Sequence, residues 1–291
     1  MRFGQSLDKN TSRPLSRRFA DKPRPFLKWA GSKQALLNQI IPNLPINYDR
    51  YFEPFLGGGA LFLYEKPSHA KISDQSSDLV GVWCALRDDV EGVIHHLAEL
   101  HPSRQKYYEI REERSADPIK YAAEFVYLNH TCWNGLYRVN SKGKFNVPFG
   151  KPKTGFIFDE ENLRLCAKLL QQKEITIANC DFRESVSDAN NNDFVYFDPP
   201  YVTKHNNNGF RDWNETLFSW SDQVALSAEA KRLAGIGVSV IVSNADHEDI
   251  VELYPDFAVK RFERSSTLSS NAKFRGKVGE VLLFANCGSF S

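Results

Sequence analysis

A glycine-rich segment in the first quarter of this 291-residue chain constrains its fold more than any other feature. The sequence predicts a short strand at 50–54, a turn with three glycines at 57–59, and a helix at 60–64. A second short strand at 69–73 ends at Asp74. The order strand, glycine-rich turn, helix, strand, acid is typical of the first half of a nucleotide-binding α/β unit.

The glycine turn also narrows the class of ligand. Its glycines let the backbone approach a ligand closely, but Phe62 stands at the third glycine position of a dinucleotide fingerprint. The turn also lacks the Gly-Lys-Ser/Thr of a phosphate-binding loop. Since Asp74 can accept both hydroxyls of a ribose, a nucleoside without a phosphate fits this unit. The alternative is a glycine turn and a helix-capping Asp that bind nothing.

The rest of the chain predicts a sheet that is interrupted by helices. Apolar periodicity predicts helices near 35–41, 78–98, 104–114, 118–130, 159–172, 219–234 and 247–253. Strands are predicted at 175–178, 194–197, 238–242, 257–262 and 278–284, with a basic β-hairpin at 136–149. The sequence therefore predicts an α/β sheet domain with a mostly helical insertion at about 80–170.

The strongest local signal is the tetrapeptide Asp198-Pro199-Pro200-Tyr201, which directly follows an apolar strand at 194–197. The strand places it at the carboxyl edge of the sheet, where open α/β folds bind their ligands. The prolines stiffen the turn, so Asp198 and the Pro199 carbonyl can accept both hydrogens of an amino group. Tyr201 can stack on the ring that carries this group. The alternative is a sharp surface turn.

Charge is segregated along a chain whose formal net charge is only +1. Residues 1–33 hold nine basic and two acidic side chains. Residues 138–155 hold five basic side chains and no acidic one, and residues 260–277 hold six basic side chains and one acidic one. Three basic clusters could converge on a polyanion such as a nucleic acid. The alternative is that solvated loops are simply basic.

Composition leads us to expect a cytoplasmic protein without a membrane span or a metal site. No apolar run reaches 18 residues, and residues 1–33 contain no apolar signal-peptide core. The five cysteines are scattered without disulfide or zinc spacing, and the seven histidines show no metal-binding spacing.

A third segment precedes the glycine turn, at Phe26-Leu27-Lys28-Trp29-Ala30-Gly31-Ser32-Lys33. An aromatic ring and a lysine four residues apart beside a glycine could bind a carboxylate or an amino-acid group. The alternative for Trp29 is packing in the core. A fourth segment, here called the recognition segment, covers residues 134–150 with Asn134 to Asn140 and Phe145 to Gly150 as its two arms.

In their order and spacing, these four segments resemble the Dam-type (D12 class) DNA adenine-N6 methyltransferases. That family carries a helical target-recognition insertion between its glycine-rich motif and its Asp-Pro-Pro-Tyr motif, and the recognition segment is similar to its DNA-reading hairpin. The resemblance covers about residues 26–286. It implies a Rossmann-like, S-adenosylmethionine-dependent methyltransferase sheet with an inserted helical target-recognition domain that contains a β-hairpin.

The resemblance also implies a domain division and an activity. It implies a flexible basic arm at 1–25, a catalytic domain at 26–79 and 174–291, and a DNA target-recognition domain at 80–173. The implied enzyme, which we expect to be a monomer, transfers a methyl group from S-adenosyl-L-methionine directly to adenine N6 in double-stranded DNA. The resemblance implies that the target sequence is GATC and that the target base is flipped out of the duplex. It also implies a role in DNA replication or in restriction–modification.

Individual residues are carried over from the same resemblance. The implied catalytic residues are Asp198, Pro199, Pro200 and Tyr201. The implied S-adenosylmethionine pocket is lined by Trp29, Lys33, Glu53, Phe55, Gly57, Gly59, Asp74, Asp181, Phe182 and Asp198. The implied DNA contacts are Lys28, Asn134, Leu136, Arg138, Asn140 and Pro148, with Arg138 reading a guanine or clamping a phosphate.

Two other functions stay open on the sequence alone. Asp/Asn-Pro-Pro-aromatic loops also serve methyltransferases that act on RNA adenine or on protein glutamine. A non-catalytic DNA-binding module that retains the fold is the second alternative, although the intact tetrapeptide argues against it.

Overall fold

The computed structural model describes residues 22–140, 142–152, 158–202, 218–265 and 277–287. Within these residues seven strands form one sheet in the order β3-β2-β1-β4-β5-β7-β6. The strands are β1 Tyr51–Glu53, β2 Ala70–Asp74, β3 Ile175–Asn179, β4 Phe194–Phe197, β5 Ser239–Ala245, β6 Ala258–Ser265 and β7 Lys277–Ala285. Strands β1 to β5 are parallel, and β7 is antiparallel to both β5 and β6.

The direction in which the chain adds strands reverses between β1 and β4. From β1 it proceeds through β2 to β3 on one side, and from β4 it proceeds to β5 on the other. Tyr51 pairs with Phe194 across this point, so the carboxyl ends of β1 and β4 lie side by side. Open α/β sheets bind their ligands in the crevice at such a switch point.

Ten α-helices surround the sheet in the described ranges. They are α1 Leu37–Ile40, α2 Ala60–Glu65, α3 Ser77–Asp88, α4 Val90–Ala98, α5 Arg104–Glu112, α6 Pro118–Thr131, α7 Glu160–Leu170, α8 Phe182–Ser185, α9 Trp220–Gly235 and α10 Glu248–Glu252. Short 3₁₀ turns cover Lys33–Leu36, Ile41–Asn43 and Trp133–Gly135. Local residues define several helix starts: the side chains of Ser76 and Asp117 accept backbone N–H groups at the starts of α3 and α6.

The prediction of one helix at 78–98 is wrong. Asp89 ends α3 with φ −149° and ψ 75°, and its carboxylate accepts the Gly92 N–H at 2.8 Å to begin α4. An Asp at this position satisfies one of the unpaired N–H groups at the start of a helix. The break lets α3 and α4 lie at different angles, and both contact α6.

Successive strand residues point to opposite faces of the sheet and enter different cores. Tyr51 belongs to a cluster that includes α3, α4, α6 and α7, whereas the next residue, Phe52, belongs to a cluster with α9. The fully buried Trp83 of α3 lies in the first cluster together with Ile72 of β2. The helices of 80–173 thus share a core with one face of the sheet, and the domain division stays a prediction.

The recognition segment pairs with itself over a short distance. Val139 and Phe145 form an isolated antiparallel bridge, and the Asn146 N–H donates to the Arg138 carbonyl at 3.0 Å. A second bridge joins Cys132 to Phe149 and ties the segment to the end of α6. No strand is assigned to the described residues of this segment, so the pairing is shorter than the predicted hairpin.

Some sequence predictions fall outside the described residues. Residues 1–21 of the predicted arm and 266–276 of the third basic cluster are among them. Arg24, near the end of the predicted arm, is described: its backbone exchanges hydrogen bonds with the Asn162 side chain at 2.8 and 3.0 Å. Among described residues, no helix has the length and apolar character to cross a membrane, and no cluster of His, Cys, Asp or Glu could hold a metal.

Candidate functional site

The carboxyl edge of the sheet gathers the predicted site from four strands. The glycine turn follows β1, Asp74 ends β2, Asp181 follows β3 and Asp198 follows β4. Neighbouring strands carry these groups, since β3, β2, β1 and β4 lie in that order. Residues that lie more than 100 positions apart in the chain are therefore brought to one edge.

At two positions of the glycine turn there is no room for a side chain. Gly57 and Gly59 both have positive φ, at +49° and +63°. A Cβ on Gly57 would lie 2.8 Å from the Trp29 ring, and one on Gly59 would lie 2.7 Å from Trp83. Trp83 also donates its indole N–H to the Gly57 carbonyl at 3.3 Å. The turn is thus packed closely between two indole rings.

Backbone amides hold the Asp74 carboxylate at the end of β2. The N–H groups of Gly57 and Ser76 donate to its two oxygens, each at 3.0 Å. Burial raises the pKa of Asp74, and these amides oppose the rise because they stabilise the charged form. Asp74 is therefore a preoriented acceptor next to the glycine turn.

A buried ion pair joins the segment at 26–33 to the tetrapeptide. Lys33 Nζ lies 2.6 Å from Asp198 Oδ1 and also donates to the Gly31 carbonyl at 2.9 Å. The Lys33 side chain is 4% exposed and that of Asp198 is 17% exposed. Burial alone would lower the pKa of Lys33, but the surrounding anionic groups, Asp198 first, outweigh it and raise that pKa. The ammonium thus stays charged and holds the carboxylate.

Tyr201 is fixed at its hydroxyl and faces the same ammonium. Its hydroxyl donates to Glu280 Oε2 at 3.0 Å and lies 3.2 Å from Ser243 Oγ. Lys33 Nζ lies 4.8 Å from the centre of its ring, within the range of a cation–π contact. Burial raises the pKa of Tyr201 well above its usual value, so the hydroxyl stays a donor.

The backbone of the tetrapeptide is anchored from the other side. The Pro200 carbonyl accepts the side-chain amide of Gln223 at 3.2 Å, and Gln223 accepts the Asn244 amide at 3.0 Å. Both amide side chains are fully buried. The loop is thus held at Asp198, Pro200 and Tyr201, and such preorganisation is what electrostatic catalysis requires.

Glu53 is buried beneath the site and differs from the other carboxyl groups. Its Oε2 accepts the Tyr51 hydroxyl at 2.7 Å and the Phe62 N–H at 3.1 Å. Burial, with a smaller contribution from the nearby Asp198 charge, raises the pKa of Glu53 to about 8, and the two hydrogen bonds oppose this rise. The carboxyl group is therefore protonated at neutral pH.

The residues after β3 form an apolar wall beside Asp74. Asp181 begins α8 by accepting the Arg183 N–H at 2.9 Å, and it also pairs with the Arg183 guanidinium at 3.1 Å. Phe182 is buried and stacks on Phe55, with ring centres 5.6 Å apart. The predicted pocket residues Asp181, Phe182 and Phe55 thus lie together at this edge.

Lys28 contacts the start of the recognition segment, as the prediction of a common DNA surface requires. Its backbone exchanges two 2.8 Å hydrogen bonds with the buried Asn129 side chain. Gly135 has φ +63°, and a Cβ there would lie 2.6 Å from Lys28 Cβ. The exposed Asn134 precedes it in the left-handed region at φ 55°. Leu136 lines the same cleft of about 640 Å³ as Lys28 and Asn134.

The remaining predicted DNA residues have different structural roles. Arg138 is exposed, and its Nε donates to Asn146 Oδ1 at 2.7 Å. Asn140 Oδ1 accepts the N–H groups of Lys142 and Lys144 at 2.9 and 3.0 Å, so this side chain shapes the turn. Pro148 is exposed, and its carbonyl accepts the Trp133 N–H at 2.9 Å.

Sequence reasoning missed the residues that support the tetrapeptide from behind. Glu280, Gln223 and Ser243 are buried polar residues on β7, α9 and β5. A glutamate between apolar residues of a predicted strand was the available signal, because burying a carboxyl group is costly without a partner.

The whole chain was also compared with known proteins. Residues 29–268 match the family model described as D12 class N6 adenine-specific DNA methyltransferase. The chain is 37% identical over 269 residues to the Type II methyltransferase M1.LlaDCHI of Lactococcus lactis subsp. cremoris, covering 89% of this chain and 94% of the relative. It is 37% identical to the Type II methyltransferase M.MjaIII of Methanocaldococcus jannaschii, covering 82% and 90%.

A third relative carries a different name. The chain is 33% identical over 269 residues to the DNA adenine methylase of Haemophilus influenzae, covering 90% of this chain and 93% of the relative. The matched region contains the glycine turn, the recognition segment and the tetrapeptide.

Proposed function

Because the chain belongs to the D12 class of N6 adenine-specific DNA methyltransferases, we propose that it methylates adenine N6 within GATC in duplex DNA, with S-adenosyl-L-methionine as the methyl donor. Family membership selects DNA adenine over the RNA and protein acceptors that the sequence left open. The choice of GATC is supported by the similarity of the recognition segment to the DNA-reading hairpin of Dam-type enzymes.

The described residues fit this methyl donor. The fixed Asp74 carboxylate suits a ribose diol, and the wall of Phe55 and Phe182 suits an adenine ring. Trp29 packs on Gly57, and the Lys33 ammonium joins the Gly31 carbonyl to Asp198, an arrangement that suits the methionine end. When bound, S-adenosyl-L-methionine supplies a methyl group made electrophilic by the sulfonium.

The tetrapeptide suits an amine that is a weak nucleophile. The lone pair of adenine N6 is delocalised into the ring, so the nitrogen must become tetrahedral before it attacks. The Asp198 carboxylate and the Pro199 carbonyl accept its two hydrogens and favour that geometry. Lys33 holds the carboxylate, and the anchored loop fixes the direction of both acceptors. The N6 lone pair attacks directly: the new N–CH₃ bond forms as the S–CH₃ bond of the methyl donor breaks, the methylated nitrogen then releases one proton to water, and no protein nucleophile takes part.

The acceptor atom lies inside a base-paired helix, so the target base must leave the stack. Extruding the base costs roughly a few kcal/mol, because it must unstack and unpair. In our proposal Tyr201 returns part of this cost by stacking on the extruded adenine. Arg138, which is exposed on the recognition segment, reads a guanine with its guanidinium, and Lys28 and Asn134 contact flanking groups.

One observation carries the proposal: the 2.6 Å ion pair that holds Asp198 at the switch point beside the glycine turn. Removing the charge of this acceptor tests it. We expect Asp198→Ala, which removes both the charge and the acceptor oxygen, to lower methyl transfer by at least about 100-fold, because one preorganised electrostatic contact is typically worth that much. The measurement is transfer of labelled methyl groups from S-adenosyl-L-methionine to a GATC duplex and to a duplex with the same bases in scrambled order.

Asp188→Ala is the matched control. Asp188 is an exposed carboxylate that pairs with Arg50 and Lys71 away from the tetrapeptide, so its loss should leave turnover within about twofold. Near-wild-type transfer by Asp198→Ala would refute the catalytic assignment. Equal transfer by the wild-type protein to the GATC duplex and to the scrambled duplex would refute GATC as the site.

A further inference from the structure

One carboxylate receives two tyrosine hydroxyls from different parts of the chain. Asp78 Oδ1 accepts the Tyr121 hydroxyl at 2.6 Å, and Asp78 Oδ2 accepts the Tyr137 hydroxyl at 2.7 Å. Tyr121 lies on α6, whereas Tyr137 lies in the recognition segment. Asp78 lies in the first turn of α3, four residues after Asp74. The two hydroxyls therefore tie two elements to the turn that follows β2.

Tyr137 stands between two residues that we propose to contact DNA, Leu136 and Arg138. Its ring stacks on Trp29, with centres 5.3 Å apart and planes inclined by 24°. On other sides it meets Phe125 of α6 at 5.2 Å and Phe145 of the recognition segment at 5.9 Å. The side chain is thus fixed by aromatic rings as well as by its hydroxyl.

Two routes connect this tyrosine to the proposed cofactor pocket. In the first, Asp74 accepts the Ser76 N–H, and the Ser76 hydroxyl accepts the Leu79 N–H, so the turn leading to Asp78 is fixed by the proposed ribose acceptor. In the second, the Trp29 ring lies against Gly57 on one side and stacks on Tyr137. Both routes end at the same side chain.

A partly buried guanidinium packs on one of the two tyrosines, Tyr121. The Arg114 guanidinium lies 3.4 Å from the centre of the Tyr121 ring and donates to the Tyr121 carbonyl at 3.0 Å. Burial lowers the pKa of Arg114, and the nearby tyrosines and Asp78 oppose this fall. Burial also raises the pKa of both tyrosines, so their hydroxyls stay protonated donors. The hydrogen bonds to Asp78 are charge-assisted and lie within a partly buried cluster.

We propose that Tyr137 is a positioning residue that couples the cofactor pocket to the recognition segment through its hydrogen bond to Asp78. The inference rests on the proposed function and deepens it. A bound cofactor adds contacts to Asp74 and Trp29 and restricts their motion further, and this restriction passes through Tyr137 to the neighbouring Arg138. Cognate DNA and the cofactor then each raise the affinity of the protein for the other by one common factor.

Two variants that differ only in which hydroxyl is lost test this coupling. Tyr137→Phe and Tyr121→Phe each remove one donor to Asp78 and retain the ring. For each protein, the Kd of S-adenosyl-L-homocysteine is measured by calorimetry without DNA and with a saturating GATC duplex. The ratio of the two values is the coupling factor, and the Kd of the duplex with and without S-adenosyl-L-homocysteine must give the same factor.

We expect the coupling factor of Tyr137→Phe to be lower than that of wild type by about fivefold or more and to approach one, the value for no coupling. Typical coupling factors span about 5 to 150. Its Kd for S-adenosyl-L-homocysteine without DNA should stay within about twofold of wild type. Tyr121→Phe should leave both quantities within about twofold, because α6 carries no proposed DNA contact. Thermal unfolding of both variants checks that they are folded.

A coupling factor in Tyr137→Phe that equals the wild-type value would overturn the inference. An equal loss in both variants would also overturn it, because the Asp78 cluster would then act only as general support for the fold. A wild-type protein that methylates GATC duplexes without any coupling would refute the inference and leave the proposed function intact. A wild-type protein that transfers no methyl group to DNA would refute the proposed function itself.

Discussion

At the scale of single residues, two carboxyl groups at the same site have different environments. Asp198 has a lysine ammonium at 2.6 Å, whereas Glu53 has a tyrosine hydroxyl and a backbone N–H as its donors. The sequence places both acids, because each comes at the end of an apolar strand. It does not predict their environments, since those depend on Lys33 and Tyr51 packing around them in three dimensions.

Glu53 gives the stability of the protein a definite pH dependence. Its pKa rises on folding from about 4.5 to about 8, chiefly through burial, so the unfolded chain releases this proton first. The associated stability is fully present below about pH 4.5 and is lost as the pH rises through about 8. It amounts to about 1.4 kcal/mol for each unit by which the two pKa values differ.

We therefore expect Glu53→Gln to flatten this dependence. The amide resembles the protonated carboxyl group and cannot ionise, so the variant should match wild type near pH 5 and exceed it near pH 9. The free energy of unfolding from urea titrations at pH 5, 7 and 9 measures the difference. Parallel pH profiles for the two proteins would show that Glu53 does not carry this proton.

At the scale of elements, local patterns predict where most strands and helices lie. The predicted strand at 194–197 has the bounds observed, and the predicted helix at 118–130 ends one residue before α6. The strand is a continuous apolar run that ends at Asp198, and the helix has apolar periodicity that begins at Pro118. The break at Asp89 was missed because apolar residues recur at helical spacing on both sides of it, from Leu79 through Leu97.

Asp89 should contribute more to the free energy of unfolding than its neighbour Asp88, because its side chain caps the start of α4. We expect Asp89→Ala to lower the free energy of unfolding by about 1 kcal/mol, the usual effect of losing an N-cap side chain. Asp88→Ala is the control, since Asp88 forms only an exposed ion pair with Arg87, and it should change stability by less than about 0.5 kcal/mol. Urea unfolding of the three proteins measures both effects, and equal losses would contradict the capping role.

At the scale of the whole molecule, distant pairing brings together what no local pattern could. Strand β7 lies between β5 and β6 although it follows both in sequence, and this places Glu280 beside Tyr201, 79 positions away. The sequence predicted every strand involved but not their order. A glutamate within the apolar strand at 278–284 indicated a buried carboxyl group, but its pairing with the Tyr201 hydroxyl depends on the strand order.

The shared core leads us to expect a single unfolding transition. Helices of the predicted recognition domain and one face of the sheet bury their side chains in the same cluster, so neither can unfold without exposing the other. Urea unfolding followed by circular dichroism and by tryptophan fluorescence should give coincident curves. Loss of helical signal at a lower urea concentration than loss of fluorescence would show two independent units.

The points that anchor the Asp198 loop have a practical consequence for enzyme redesign. Its anchors come from Lys33, from the buried amides of α9 and β5 and from β7, and none of them belongs to the recognition segment. That segment reaches the sheet side of the molecule through Tyr137. On our proposal that this segment reads the target bases, libraries that vary the exposed positions from 134 to 148 and retain Tyr137 should change the preferred target sequence and leave the anchors of the Asp198 loop intact.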